Sequence, residues 1–282
     1  MAQPVRLTEG LPAAMDRRRR RFLLFPDHLA VLGQLAQEGV VEEGLDAAVD
    51  ALREAGVLGA DDAVDPAAGE LAQALAGSSL LVDVETSSDD GIVYHGLAFA
   101  SVGGVAVCWA RSGWPGTAQA EYLPVDVGMV VPWIATTVGL GRDGATGGGS
   151  LPDVLTTTVG ALGASDGTAD PEEALGGAAD VLDAARLTWR VTVHAPGGST
   201  VRALAVVDAG PLGLWERVAP AEPFGLDVPD PATPVVLERR SPGDVWRALV
   251  GLLQDAGEVA AGGGGGRARG GLRQDAGEGA AS

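Results

Sequence analysis

Apolar positions in the first part of the chain predict one strand followed by two helices. Residues 22–25 form a short apolar run, which indicates a strand. Pro26 and Asp27 open a helix, because leucines recur after them at helical spacing. A second helix is predicted from about Glu42 on the same grounds. The residues that carry the two helical patterns are Leu29, Leu32 and Leu35, then Leu45, Val49 and Leu52.

The pattern then changes to one helix followed by strands with tight turns. Asp65 is a good N-cap and Pro66 a good first helical residue, so we expect a helix to begin there. The turn-forming residues 87–91 predict a hairpin. Pro124 is expected to start a further helix, which Pro132 would kink or restart. Strands are predicted at residues 80–85, 93–100, 105–110 and 118–123.

A second series of the same kind begins about a hundred residues later. Asp170 and Pro171 are expected to open its helix, and Glu173 can complete a capping box. Ser241 and Pro242 are expected to cap a last helix that ends at Gly257. Strands are predicted at residues 187–194, 201–208, 212–218 and 233–238.

The two series share residues as well as order, which indicates an internal repeat. The matched segments are Asp65-Pro66 with Asp170-Pro171, Val82-Asp83-Val84 with Val191-Thr192-Val193, Leu97-Ala98 with Leu204-Ala205, Gly104 to Arg111 with Gly210 to Arg217, and Pro124 to Val127 with Pro242 to Val245. We therefore expect two pseudo-symmetric halves related by a pseudo-twofold axis. Short strands with helices grouped around them predict an α+β fold with one central antiparallel sheet.

These patterns predict a single domain with two tails. Residues 1–20 are expected to form a disordered basic arm, in which Met15 is an alternative start to Met1. Residues 258–282 are rich in glycine and are expected to form a disordered tail. The single domain, residues 21–257, would consist of a first half at about 22–140, a Gly-rich linker at 141–150 and a second half at about 151–257.

Composition narrows the function classes. All 19 basic residues are arginine, so Schiff-base, pyridoxal-anchoring and phosphate-loop lysines are excluded. The net charge of −19 repels phosphate backbones, and we expect no binding to nucleic acid. The sequence favours a partner with a basic or apolar surface.

Cysteine usage and hydropathy predict a cytoplasmic protein. Cys108 is the only cysteine and lies in an apolar run, so it is predicted to be a buried strand thiol in a reducing compartment. No apolar run reaches the length of a membrane span, so no membrane association is expected. The segment from Arg19 to Leu23 resembles a twin-arginine export motif, but Pro26 and Asp27 interrupt the apolar region that such a signal requires.

Motifs for catalysis and cofactors are weak. Residues 139–144 match G-x-G-x-x-G, but a predicted helix precedes them and more glycine follows, which favours a linker over a dinucleotide site. His28, His95 and His194 lie far apart without metal-ligand spacing. We therefore expect no cofactor and no metal. A catalytic site assembled from distant residues, such as His95 or His194 with a carboxylate, stays open.

Tryptophan is scarce enough to be informative. Trp109 and Trp215 hold matched positions and are expected in the core, and Trp133 and Trp246 are expected to be mostly core as well. Trp114 follows Gly113 on a predicted loop, where an aromatic side chain is a candidate contact residue. The alternative for Trp114 is a loop folded back on the sheet.

The layout resembles the EspG family, the chaperones of type VII (ESX) secretion in actinobacteria-like genomes. The resemblance covers roughly residues 22–255. The residues that carry it are Leu45 to Gly56, Asp65-Pro66 with Leu71 and Leu75, Leu81 to Val84, Gly96 to Ala100, Gly210 to Arg217 and Pro242 to Leu253. The arginine run and the glycine-rich tail lie outside the pattern.

This resemblance implies a cytosolic, non-enzymatic specificity chaperone. Such proteins bind the apolar helical tip of a PPE protein in its PE–PPE heterodimer and keep it soluble for export. The family uses the loop between the hairpin strands of the first half together with the C-terminal helical region. The loop residues here would be Ser87, Ser88, Asp89, Asp90 and Gly91, and Trp114 is added from its own loop position. The alternatives are a cofactor-free, hydrolase-like enzyme and an immunity or structural binding protein on the same scaffold.

Overall fold

The structure is a computed structural model that describes residues 12–141, 151–159, 177–194, 200–219 and 230–263. These residues form a mixed α+β fold with a large antiparallel sheet, as the sequence predicts. The strands are β1 (Ala14–Asp16), β2 (Arg21–Leu24), β3 (Leu80–Ser88), β4 (Gly91–Val102), β5 (Val105–Gly113), β6 (Ala120–Pro124), β7 (Val154–Thr158), β8 (Leu187–His194), β9 (Thr200–Asp208), β10 (Leu214–Ala219) and β11 (Pro234–Arg240). The helices are α1 (Pro26–Gln37), α2 (Asp46–Glu54), α3 (Pro66–Ala76), α4 (Val130–Thr137), α5 (Gly177–Asp183) and α6 (Pro242–Gly263).

The sheet is centred on the pairing of β3 with β8. Its order is β1-β2-β6-β5-β4-β3-β8-β9-β10-β11-β7. Outward from the centre, one side runs β3-β4-β5-β6 and ends with β2 and β1, and the other runs β8-β9-β10-β11 and ends with β7. All strand pairs are antiparallel, as expected when tight turns join consecutive strands.

The central pair, β3 with β8, brings two of the matched segments together. Val82 lies opposite Val193 and Val84 opposite Val191, so Asp83 and Thr192 face each other at the midpoint. The tryptophan match is shifted. Trp109 lies opposite Ala98, while Trp215 lies opposite Val207 and not opposite Ala205, the residue that the sequence pairs with Ala98. A shift of two residues keeps both tryptophans on the same face of the sheet, because side chains alternate with period two.

Helices cover the two faces unequally. One face packs against α6, which contacts β3, β8, β9 and β11. On the opposite face, α3 packs on β4 and β5 together with α1. Beyond the centre on that opposite face, α5 packs against β7. In the part of the chain that the structure describes, α6 therefore covers one face of the central strands, and the other face is open between α3 and α5.

The basic arm is a correction to the sequence prediction, because part of it is folded. Residues 14–24 form the β1–β2 hairpin, and residues 1–11 lie outside the described residues. Arg17 donates to the Gly56 carbonyl oxygen at 2.9 Å, and Arg20 pairs with Glu70 at 2.7 Å. Arg20 also lies 5.4 Å over the Trp109 ring. The arginines were expected to belong to a disordered arm, but two of them, Arg17 and Arg20, form ion pairs with Asp65 and Glu70 of α3 and its N-cap.

The predicted helix start at Pro124 and the predicted helix end at Gly257 were both wrong. Pro124 does not start a helix, because it lies opposite Trp109 and ends β6. The helix begins at Val130, which places Pro132 in its first turn, where a missing N–H breaks no hydrogen bond and no kink is needed. Gly257 does not end the last helix, which continues to Gly263. One glycine costs a helix only about 1 kcal/mol, and the alanines that follow favour continuation.

Three further features of the structure differ from the sequence prediction. The second helix begins at Asp46 and not near Glu42. Strand β7 was not predicted, because the buried residue Thr157 is polar and so hides the alternation of apolar and polar residues that indicates a strand. Trp246 was predicted to be mostly core but is 39% exposed, since it lies one residue, about 100° of helix, from Val245 on the buried stripe. The proposed helix start at 170–173, the linker residues 142–150 and the tail residues 264–282 lie outside the described residues.

Candidate binding surface

The hairpin between β3 and β4 places the sequence-predicted site residues at one end of the sheet. Ser88 lies opposite Gly91 in the last pair of the ladder, and Asp89 and Asp90 form the turn. The Asp90 N–H donates to the Ser88 hydroxyl at 3.3 Å, and Gly91 has a φ of 110°, which glycine adopts without strain. Ser87 lies one step inside the tip, opposite Ile92. The tip presents two carboxylates to solvent.

Trp114 lies at the same end of the sheet as this hairpin. It directly follows Gly113, the last residue of β5, which lies beside the backbone of Tyr94 on β4. Ile92, Tyr94 and Trp114 are 52%, 53% and 42% exposed. We call the hairpin tip 87–91 together with these three side chains the hairpin-end patch.

Sequence reasoning did not find Ile92 and Tyr94. The sequence of β4 does indicate that some apolar side chains are exposed. Apolar residues occur there at consecutive positions, and alternate side chains of a strand face opposite sides of the sheet. What could not be read from the sequence was which face the helices leave uncovered. That depends on where α3 and α6 pack.

The open face continues from the patch across the central strands. Along β3, Leu80, Val82, Val84 and Thr86 are buried, while the alternate residues face outward. The outward carboxylates form cross-strand pairs. Glu85 accepts a hydrogen bond from the Arg190 guanidinium at 2.9 Å, and Asp83 lies 3.0 Å from Nε2 of His194. Tyr94 of the patch lies opposite Glu85, so the patch and the ion pairs adjoin.

The histidines do not converge on one site. His95 lies opposite Val84, whereas His194 lies opposite Leu81, so the two side chains are on opposite faces of the sheet. Burial lowers the pKa of His95, and the nearby Arg111 cation lowers it further. His194 is beside Asp83 on the open face. His28 caps α1, where its Nδ1 accepts from the Phe25 N–H at 3.1 Å.

Cys108 is buried in the core under α4 and α6, as the sequence predicts. Burial raises the pKa of its thiol to about 12. The thiolate is the reactive form of cysteine, so this side chain is not an activated nucleophile. Within the described ranges, no group of three or more His, Cys, Asp and Glu side chains is arranged to hold a metal ion. None of the helices described is both long and apolar enough to cross a bilayer.

No protein-family model matches this chain, and no curated protein matches it either.

Gly113 is expected to be essential to the geometry of the hairpin-end patch. A Cβ at this position would lie 2.5 Å from the Tyr94 carbonyl oxygen. Gly113→Ala should therefore push β5 away from β4 and lower the free energy of unfolding by about 1–3 kcal/mol. Chemical denaturation followed by fluorescence measures this change. Gly33→Ala is the matched control, because nothing lies within 4 Å of its Cβ position in α1 and alanine favours helix. Equal stability of Gly113→Ala and the wild type would contradict the close approach.

Proposed function

We propose that the two sides of the sheet are copies of one unit, arranged as in the EspG-like fold. The mirrored strand order about β3 and β8 supports this proposal. So does the register, in which Leu97 lies opposite Val82 and Leu204 opposite Val191, as the matched series requires. The fold then provides a broad sheet as a scaffold for binding.

We further propose that the protein is a non-enzymatic, cytosolic specificity chaperone of a type VII secretion system. Its partner would be the apolar helical tip of a PPE protein in a PE–PPE heterodimer. The observation that carries the proposal is the hairpin-end patch, where Ile92, Tyr94 and Trp114 are about half exposed beside one tight hairpin. Exposed apolar side chains that lie together at one end of a sheet indicate an interaction surface. An amphipathic helix binds such a surface through its apolar face.

Charge is consistent with this partner class. The chain carries a net charge of −19, and the patch itself includes Asp89 and Asp90. Phosphate-rich partners would be repelled, whereas an apolar helix flanked by basic residues would be attracted. The Asp89 and Asp90 carboxylates lie at the hairpin tip, so the patch ends in polar groups, and a polar rim is usual at protein interfaces.

The proposal is tested by co-expressing the full chain with PE–PPE pairs from its source genome. We expect a stable 1:1:1 complex on size-exclusion chromatography. Trp114→Ala and Tyr94→Ala should each weaken it at least tenfold, since truncation of a buried aromatic anchor typically costs about 2 kcal/mol or more. Binding constants from calorimetry provide the comparison.

Val105→Ala is the control for this experiment. Val105 is 64% exposed, but it lies opposite Val102 at the end of the β4–β5 pair away from the patch. This variant should bind as the wild type does. If Val105→Ala weakens the complex and Trp114→Ala does not, the partner binds elsewhere. If no PE–PPE pair binds the wild-type chain, the chaperone proposal fails.

A further inference from the structure

A cavity of about 200 Å³ opens on the same face as the ion pairs, between the central strands and α5. At about 30 Å³ of liquid volume per water, it has room for about seven waters or one small organic molecule. The residues that line it are Glu85, Leu182, Thr188, Trp189, Arg190, Ala205, Val206, Val207, Arg217, Val235 and Leu237. They come from five strands and one helix, so the cavity exists only in the assembled sheet.

Much of the cavity wall is aliphatic. Ala205 lies opposite Arg190 and belongs to the lining, where a larger side chain would occupy the space. One side of the lining consists of Leu182 from α5 with Val235 and Leu237 from β11. Val235 and Leu237 are buried, so the core beneath fixes their position. Because aliphatic side chains offer water no hydrogen bonds, an apolar group that displaces water from this wall gains affinity.

The charged side chains of the lining already make contacts of their own. Arg190 donates to Glu85 at 2.9 Å, and both side chains line the cavity. Arg217 also has a partner of its own. A charged ligand would therefore have to compete with an existing contact at each guanidinium group, and it would lose its own hydration as well. The lining thus favours a ligand without charge.

We propose that this cavity binds a neutral, branched aliphatic small molecule of about seven non-hydrogen atoms. Leu182, Val235 and Leu237 contact its branched end, and the ion pair between Arg190 and Glu85 stays closed beside it. A leucine side chain of a partner protein has four such atoms and would fill only about half of the volume, which favours a free molecule. The proposal goes beyond the chaperone function and does not depend on it.

The test titrates the full-length protein with three probes that share one aliphatic body. They are neutral 4-methyl-1-pentanol, the anion 4-methylpentanoate and the cation 4-methylpentylammonium, and binding is followed by calorimetry and by chemical shifts. We expect saturable binding of the alcohol and about tenfold weaker binding of each ion, because neither ion recovers the hydration that it loses. Binding of either ion that is as tight as that of the alcohol, or no saturable binding of the alcohol, overturns the proposal.

A capped, neutral tripeptide with a central leucine distinguishes a free ligand from a side chain. We expect this peptide to bind more weakly than 4-methyl-1-pentanol, since its side chain leaves about half of the cavity unfilled. Tighter binding of the peptide than of the alcohol would overturn the assignment to a free small molecule.

Two substitutions separate the space from the charge. Ala205→Leu should weaken binding of the alcohol about tenfold or more, because the larger side chain fills the cavity. Glu85→Gln should instead strengthen binding of 4-methylpentanoate about tenfold, because it leaves the Arg190 guanidinium without its carboxylate partner. Ala106→Leu is the matched control and should bind as the wild type does, since Ala106 is exposed on β5 opposite Ser101 and outside the lining.

Circular dichroism and thermal melting show whether each variant is folded. If a folded Ala205→Leu binds the alcohol as tightly as the wild type, the ligand is not in this cavity. If Glu85→Gln binds the anion no better than the wild type does, the ion pair does not exclude the acid, and the proposed preference for a neutral ligand is wrong.

Discussion

Replacing Trp109 with alanine is expected to lower the free energy of unfolding by about 3–5 kcal/mol. The side chain is 1% exposed and contacts Phe22 with a ring separation of 5.9 Å. Its Nε1–H donates to Glu70 at 3.2 Å, and Arg20 lies over the ring. Truncation leaves a large cavity and removes the aromatic contact between the β1–β2 hairpin and the sheet.

Urea denaturation of the wild type, Trp109→Ala and Trp109→Phe measures the effect. Phenylalanine keeps much of the ring but lacks the donor to Glu70, so its loss should be intermediate. Trp246→Ala is the surface control and should change stability by about 0.5 kcal/mol or less. A Trp109→Ala variant that is no less stable than Trp246→Ala would show that Trp109 is not a core residue.

The strands near the centre could be predicted because local chemistry and burial agree there. In β3, buried and outward residues alternate strictly. The helix before it, α3, is capped by Asp65, whose side chain accepts a hydrogen bond from the Ala67 N–H at 2.9 Å. The glycines at 103 and 104 both have positive φ and form the next turn. Each of these features is determined by residues a few positions apart, so the sequence contains the whole signal.

The features that were predicted wrongly or not at all share a different cause. Each of them depends on residues that are distant in the chain. Arg20 looks like part of a solvated arm until Glu70 and Trp109 are placed beside it. The polar Thr157 hides a strand whose place is set by β11. The local sequence pattern cannot reveal contacts of this kind, because they depend on which distant strands and helices lie beside each other in the folded sheet.

The candidate site divides in the same way. The 87–91 hairpin and Trp114 could be proposed from turn chemistry and loop position, and the structure places them at one end of the sheet. That Arg190 and Arg217 line one cavity could not be read from the sequence, because they lie on β8 and β10 with β9 between them.

Replacing Leu249 with alanine is expected to destabilise both sides of the sheet together, by about 2–5 kcal/mol. Leu249 is fully buried where α6 packs on the sheet. It belongs to one core cluster with Val82 and Val84 from β3 and Val191 and Val193 from β8. A cavity at this point is therefore shared by the two strands that join the two sides.

Hydrogen exchange followed by mass spectrometry tests this shared role. We expect protection to fall equally in peptides covering β3 and β8, because a single core cluster opens as one cooperative unit. Leu253→Ala is the matched control, since Leu253 is only partly buried on the same helix and its truncation should cost less. If β8 loses protection in Leu249→Ala while β3 keeps that of the wild type, the two sides unfold separately, and α6 stabilises only one of them.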